Sequence, residues 1–180
     1  MEYLFTMKYQ FTMKYQLAEH DDDPDVLVER LGESGCDDAL VGIGQPGRLA
    51  LEFTREADNA WAAMRSALVD VKRAIPSARL IEAAPDFVGL TDVAEVVGVS
   101  RQNMRKLMLA YPGSFPAPIH EGGGSIWHLA EVLTWLEAKG GYSWERSVLE
   151  VSRVALQVNV AKEAHWLPTK AARALNALVC

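Results

Sequence analysis

The chain has 180 residues, enough for one large domain or two small ones, and with 49% apolar and 23% charged residues it is not composed like a disordered chain. Eighteen basic residues against 24 acidic ones leave a net charge of -6. That excludes an indiscriminate polyanion binder of histone type, but permits a DNA reader whose positive charge is confined to one face. Cys36 and Cys180 lie far apart without a Cys-x-x-Cys or Cys/His cluster, which argues against a disulfide scaffold and a structural zinc site. No apolar run approaches the roughly 18 residues of a membrane helix, and the N-terminus has no signal-peptide pattern. The expectation is a soluble, cytoplasmic protein with no cofactor and no membrane partner.

Residues 5–10 read Phe-Thr-Met-Lys-Tyr-Gln, and residues 11–16 repeat them without change. Six residues are too few for a solenoid unit, so the pattern is a tandem duplication. Strand side chains alternate with period two, so an insert of six keeps every residue on its face. Tyr3, Phe5, Met7, Tyr9, Phe11, Met13, Tyr15 and Leu17 share one face; Thr6, Lys8, Gln10, Thr12, Lys14 and Gln16 share the other. The second copy is expected to fill the slot in a sheet, with the first projecting, bulging out or pairing with another chain. Such an overhang is either harmless or an exposed edge that promotes association.

A helix start follows at Asp23-Pro24-Asp25, with an N-cap, a proline at the first helical position and an acid near the positive helix end. Leu27, Val28 and Leu31 supply its buried stripe, and Gly32 or Gly35 ends it. Ala39–Ile43 reads as a short strand, Gly44–Gly47 as a turn, and Leu49–Thr54 as an alternating, half-buried strand. A second helix carries Trp61, Met64, Leu68, Val71 and Ile75 at spacings of three and four. Pro76 stops it, and Arg79–Ala83 is a last strand. The order strand-helix-strand-strand-helix-strand is the ferredoxin-like βαββαβ pattern, which names no activity.

Two features of this half imitate chemistry. Gly42-Ile43-Gly44-Gln45-Pro46-Gly47 matches Gly-x-Gly-x-x-Gly, but a dinucleotide loop must lead into a helix. Here an alternating strand follows, so a hairpin turn is expected. His20-Asp21-Asp22-Asp23-Pro24-Asp25 lacks the glycine and terminal glutamate of a calcium loop, and reads as a solvated acidic helix cap. No Ser/His/Asp or Cys/His set supports nucleophilic catalysis, so no enzyme is expected.

Residues 90–109 carry the strongest signal, a helix-turn-helix pattern. Thr91 is placed to cap the first helix, Val93 and Val97 face its core, and Ala94 is small where the second helix crosses. Gly98 supplies the left-handed turn residue, Val99 fills the space beneath it, and Ser100 caps the second helix. Met104 and Leu107 bury that helix, leaving Ser100, Arg101, Gln102, Asn103, Arg105 and Lys106 outward. Amides suit adenine, arginine suits guanine, and any of them holds phosphate. Phe115–His120 then reads as an extended segment, Glu121-Gly122-Gly123-Gly124-Ser125 as a flexible tip, and Ile126-Trp127 as the return of a β-hairpin wing. The helix that follows presents Leu129, Val132, Leu133, Trp135 and Leu136.

In Leu90-Thr91-Asp92-Val93-Ala94 through Ser100-Arg101, Phe115-Pro116-x-Pro118 and Trp127-His128-Leu129-x-Glu131-Val132-x-x-Trp135-Leu136, the chain resembles the winged helix-turn-helix of AlpA-like phage regulators and excisionases, related to the MerR DNA-binding domain. The resemblance covers about 55 residues, within 87–141. It implies that the helix Ser100–Leu109 enters the major groove and that the wing touches the backbone or minor groove. The wing tip departs from the pattern, with Glu121 and three glycines where relatives usually carry a basic residue. His120 and His128 flank the wing, where packing or a phosphate hydrogen bond is favoured over metal binding; His120 is counted with the DNA-binding residues.

Trp144–Leu167 is helical in pattern, with Val148, Val151, Ala155 and Val158 on one face and Leu149 and Leu156 beside it. Pro168 breaks it, and Thr169–Val179 forms another helix. The wide apolar stripe packs on the winged unit or on a second copy, with a homodimer favoured. The sequence therefore predicts an α+β chain: a ferredoxin-like assembly or sensing domain at 1–84, a winged helix-turn-helix at 85–142, and C-terminal helices at 143–180 available for dimerisation. The expected function is sequence-specific binding of double-stranded DNA in transcription regulation. The alternatives are an excisionase-like architectural factor that bends DNA, and an interaction or sensing module that no longer binds it. Charge is segregated along the chain: residues 1–84 hold 9 basic and 15 acidic residues, and residues 147–180 hold 4 and 2. The acidic half is expected to face away from DNA.

Overall fold

The computed structural model describes residues 6–179, and the chain is a mixed α+β protein with two hydrophobic cores. Strand β1 (Met7–Gln16) runs through both hexapeptide copies and alternates as its sequence dictates: Tyr9, Phe11, Met13 and Tyr15 are buried, while Lys8, Gln10, Lys14 and Gln16 are exposed. Tyr3 and Phe5 lie outside the described residues. Met7–Gln10 of the first copy do not project as a free overhang. Strand β3 (Arg48–Ala57) is longer than the Leu49–Thr54 expected, and its Thr54–Ala57 end pairs with Met7–Gln10. Phe11 stacks on Phe53 at 5.1 Å between ring centroids.

With β2 (Ala39–Gly42) and β4 (Arg79–Ala84), these strands form one sheet in the order β2-β3-β1-β4, antiparallel at every step. The glycine-rich segment after β2 is a hairpin turn leading into β3. The Arg48 N–H donates to the Gln45 carbonyl at 3.0 Å, and Gly47 adopts φ +72°.

Helix α1 (Pro24–Glu33) begins where Asp23 Oδ1 accepts from the Asp25 N–H at 3.0 Å. Leu27 and Leu31 are buried, but Val28 is exposed because it falls beside that stripe. The acidic cap is not wholly solvated either. Asp21 turns inward, accepts from Ser77 Oγ and lies 3.5 Å from Arg30. Helix α2 (Ala60–Ala74) rests on the sheet through Ala60, Ala63, Met64, Ala67, Val71 and Ala74. The small alanines bring the helix close and centre its buried stripe about a quarter turn from Trp61, which is therefore 53% exposed instead of in the core.

The second core lies under α3 (Leu90–Val97), α4 (Arg101–Ala110) and α5 (Leu129–Lys139), with β5 (Phe87–Val88) pairing antiparallel to β6 (Trp127–His128). Helix α6 (Arg146–Ala164) belongs to both cores. Leu149 enters the second, while Val151, Val154 and Ala155 enter the first against the sheet. The apolar face assigned to a partner or to the winged unit is thus buried largely on the N-terminal sheet of its own chain. Helix α7 (Thr169–Val179) buries no residue. Among the described residues, no helix is long and apolar enough to cross a membrane.

Candidate nucleic-acid interface

The two crossed helices are held by a three-residue turn. Gly98 sits at φ +69°, ψ 33°, and the Val99 N–H donates to the Ala94 carbonyl at 2.9 Å. Only glycine adopts this conformation without cost. Ala94 is 2% exposed where the helices meet, and Val93 and Met104 are fully buried between them. Ser100 caps α4 as its sequence predicts, its Oγ accepting from the Asn103 N–H at 3.1 Å. Thr91 does not cap α3. The N-cap is Gly89, whose N–H donates to Asp92 Oδ2 at 2.7 Å, and Thr91 stands exposed one residue inside the helix.

This frame fixes which side chains α4 presents. Ser100, Arg101, Gln102, Asn103, Arg105 and Lys106 are all exposed, while Met104 is buried and Leu107 and Met108 are half-buried. Among the described residues, none of Arg101, Arg105 and Lys106 forms a salt bridge with an acid; the ion pairs of the chain lie elsewhere. At about 100° per residue the exposed set forms one continuous stripe, with Arg101 and Arg105 on the side of the wing and Asn103 on the other.

The segment expected as a wing is a minimal hairpin. His120 and Ile126 form a single antiparallel bridge, with the Ile126 N–H donating to the His120 carbonyl at 3.0 Å and the Ile119 N–H to the Ile126 carbonyl at 2.8 Å. Its base is fixed by aromatic packing: Trp127 Nε1 donates to the Pro116 carbonyl at 3.0 Å, and Phe115 meets Trp135 edge-on at 5.1 Å. Between wing tip and helices lies an open cleft of about 860 Å³, lined by Thr91, Arg101, Gln102, Arg105 and the backbone of Gly122–Gly124. His120 does not line that cleft. Its exposed ring lies over Gly122, where an added Cβ would fall 2.6 Å from Nε2. The contribution of Thr91 and the tip glycines was not read from sequence; their signal was a run of residues without side chains opposite two arginines.

His128, by contrast, is a structural residue. Its Nδ1 is 2.7 Å from Oδ1 of the fully buried Asp86, whose Oδ2 accepts from Asn159 Nδ2 at 2.7 Å. Asn159 also bonds both backbone groups of Ala83, at 2.8 Å each. The wing strand, the end of β4 and α6 are thereby joined by one buried polar network, with each partner satisfied. Comparison with protein-family models, curated proteins and solved structures found no match for this chain.

Proposed function

We propose that the protein is a sequence-specific regulator of transcription that binds double-stranded DNA in the cytoplasm, as a homodimer, with α4 in the major groove. The observation that carries this reading is the solvent face of α4: three cations without an ion-pair partner among the described residues and two amides, without an acid, on a helix held by a glycine turn and a serine cap. The adjoining cleft suits a sugar-phosphate strand, since Arg101 and Arg105 supply charge and the glycines of the tip permit close backbone approach. Together with β5, β6, α5 and the aromatic base of the wing, this supports an AlpA-like winged helix-turn-helix. The sheet order and the two crossover helices support a ferredoxin-like arrangement for residues 1–84, serving assembly or sensing and carrying no catalytic role.

The test is selection of bound sequences from a random duplex pool. A single enriched motif, two-fold symmetric with half-sites about one helical turn apart, is the expected result. A pool with no enrichment after repeated rounds would refute the reading.

A further inference from the structure

We propose that two copies of this chain join through the first hexapeptide copy, edge to edge, continuing the sheet from one protomer into the next; this rests on the homodimer reading and names its contact surface. Immediately past the end of β1 and in the same register, the Leu17 N–H donates to the Gly47 carbonyl at 3.0 Å. Because ladder bonds alternate along an antiparallel strand, the odd residues of β1 bond to β3 and the even ones point to β4. The placement of Asn159 agrees, since it bonds the N–H and C=O of Ala83, the residue opposite Met13, on the outer side of β4. Strand β4, however, pairs only with Thr12–Gln16. Beyond Ala84 the chain turns towards β6, where the Asp86 carbonyl accepts from the Leu129 N–H at 2.8 Å. The N–H and C=O groups of Lys8 and Gln10 therefore face an open edge, and no backbone or side-chain group among the described residues bonds to them there.

Helix α6 covers part of the outer edge of β4. Asn159 covers Ala83, and Lys162 Nζ donates to the Ile81 carbonyl at 2.8 Å where β4 bulges. Beside the end of β4, Met7–Phe11 leaves a notch five residues long, and its sequence fits a second copy of itself. Antiparallel pairing about a two-fold axis through Tyr9 sets Met7 opposite Phe11 and Lys8 opposite Gln10. Four interstrand bonds then satisfy all the outward groups of Lys8 and Gln10 in both copies. The two Lys8 ammonium groups never face each other, and Tyr9 and Phe11 of both copies stay on the helix-covered side. Main-chain bonds give such an added strand its affinity, and the alternating side chains give it register.

Substitutions at Gln10 test the pairing, because its side chain is exposed and its N–H is not part of the β1–β3 ladder. Sedimentation equilibrium of the full chain should show a dimer. Gln10→Lys, which sets two lysines opposite Lys8 across the axis, should weaken it about fivefold, with salt restoring the loss. Gln10→Glu should tighten it by a similar factor, and Gln10→Pro should weaken it about tenfold or more by deleting a donor in each copy. Unchanged circular dichroism keeps these effects separate from unfolding. A wild-type chain that is monomeric at about 100 μM overturns both this interface and the homodimer reading. A dimer indifferent to all three substitutions overturns the interface alone.

Discussion

The side-chain amide of Asn159 and the backbone of Ala83 exchange two hydrogen bonds, N–H to Oδ1 and Nδ2 to C=O, each 2.8 Å long. A helix side chain thus stands in for a neighbouring strand at the edge of the sheet, and the same amide reaches Asp86 beneath the wing strand. The N-terminal sheet and the unit of α3, α4 and α5 are bound through this residue as well as through the apolar face of α6.

Asn159→Ala should therefore be among the more damaging single changes outside the cores. It strands the N–H and C=O of Ala83 and one oxygen of Asp86 in a buried site, a loss of about 2–3 kcal/mol. Urea unfolding followed by circular dichroism would measure it.

Arg55 offers a second test. Its guanidinium bonds Asp38 in two-pronged fashion at 2.7 and 2.9 Å, Asp70 at 2.8 Å, Ser66 Oγ at 3.0 Å and the Gly35 carbonyl at 2.7 Å. The hydrogen bond to Asp38 is the main cause that holds its pKa above the usual arginine value, so it stays charged. Arg55→Lys keeps the charge but cannot reproduce the planar fork. It should cost about 2 kcal/mol, and Arg55→Ala more, in the same unfolding experiment.

Burial, reinforced by the nearby Asp70 carboxylate, pushes the Cys36 thiol up to about 11. An acid whose folded pKa lies above its unfolded value costs the folded state stability as pH rises between the two. Stability should thus decline from about pH 9 towards pH 11, and Cys36→Ser should flatten part of that decline. In a Cys180→Ser background, a thiol reagent at pH 8 should label the native chain only as fast as it opens, and label the unfolded chain at once.

Gly98→Ala should lower stability by about 1–2 kcal/mol. A Cβ there meets nothing within 4 Å, so the cost comes from the left-handed backbone at φ +69° and not from a clash. Gly113→Ala, at a non-left-handed glycine that is also open in space, is the matched control and should lie near zero.

These residues also show where sequence was informative. The alternation of β1 was legible because strand geometry is local and the apolar residues kept its period. The glycine turn and the Ser100 cap were legible because each satisfies a local backbone demand. The end of β3 was hidden, since Arg55 occupies an inward position that only the distant Asp38 and Asp70 make tolerable. Asn159 lies eight residues after Val151 and four after Ala155, on the buried face of α6. A polar residue there demands a buried partner, but its spacing could not say which. Thr91 fits a cap by residue type alone, whereas the chain uses the Gly89 N–H and Asp92.

The most direct test of the DNA reading is fluorescence anisotropy of the selected duplex with the wild-type chain, Arg101→Ala and Arg105→Ala, over a range of salt. If the α4 face contacts the duplex as proposed, each variant loses roughly 1–3 kcal/mol of specific affinity where the side chain reads a base, or a shallower salt dependence where it holds a phosphate. Both variants binding with unchanged affinity and unchanged salt slope, while still folded, would contradict the account.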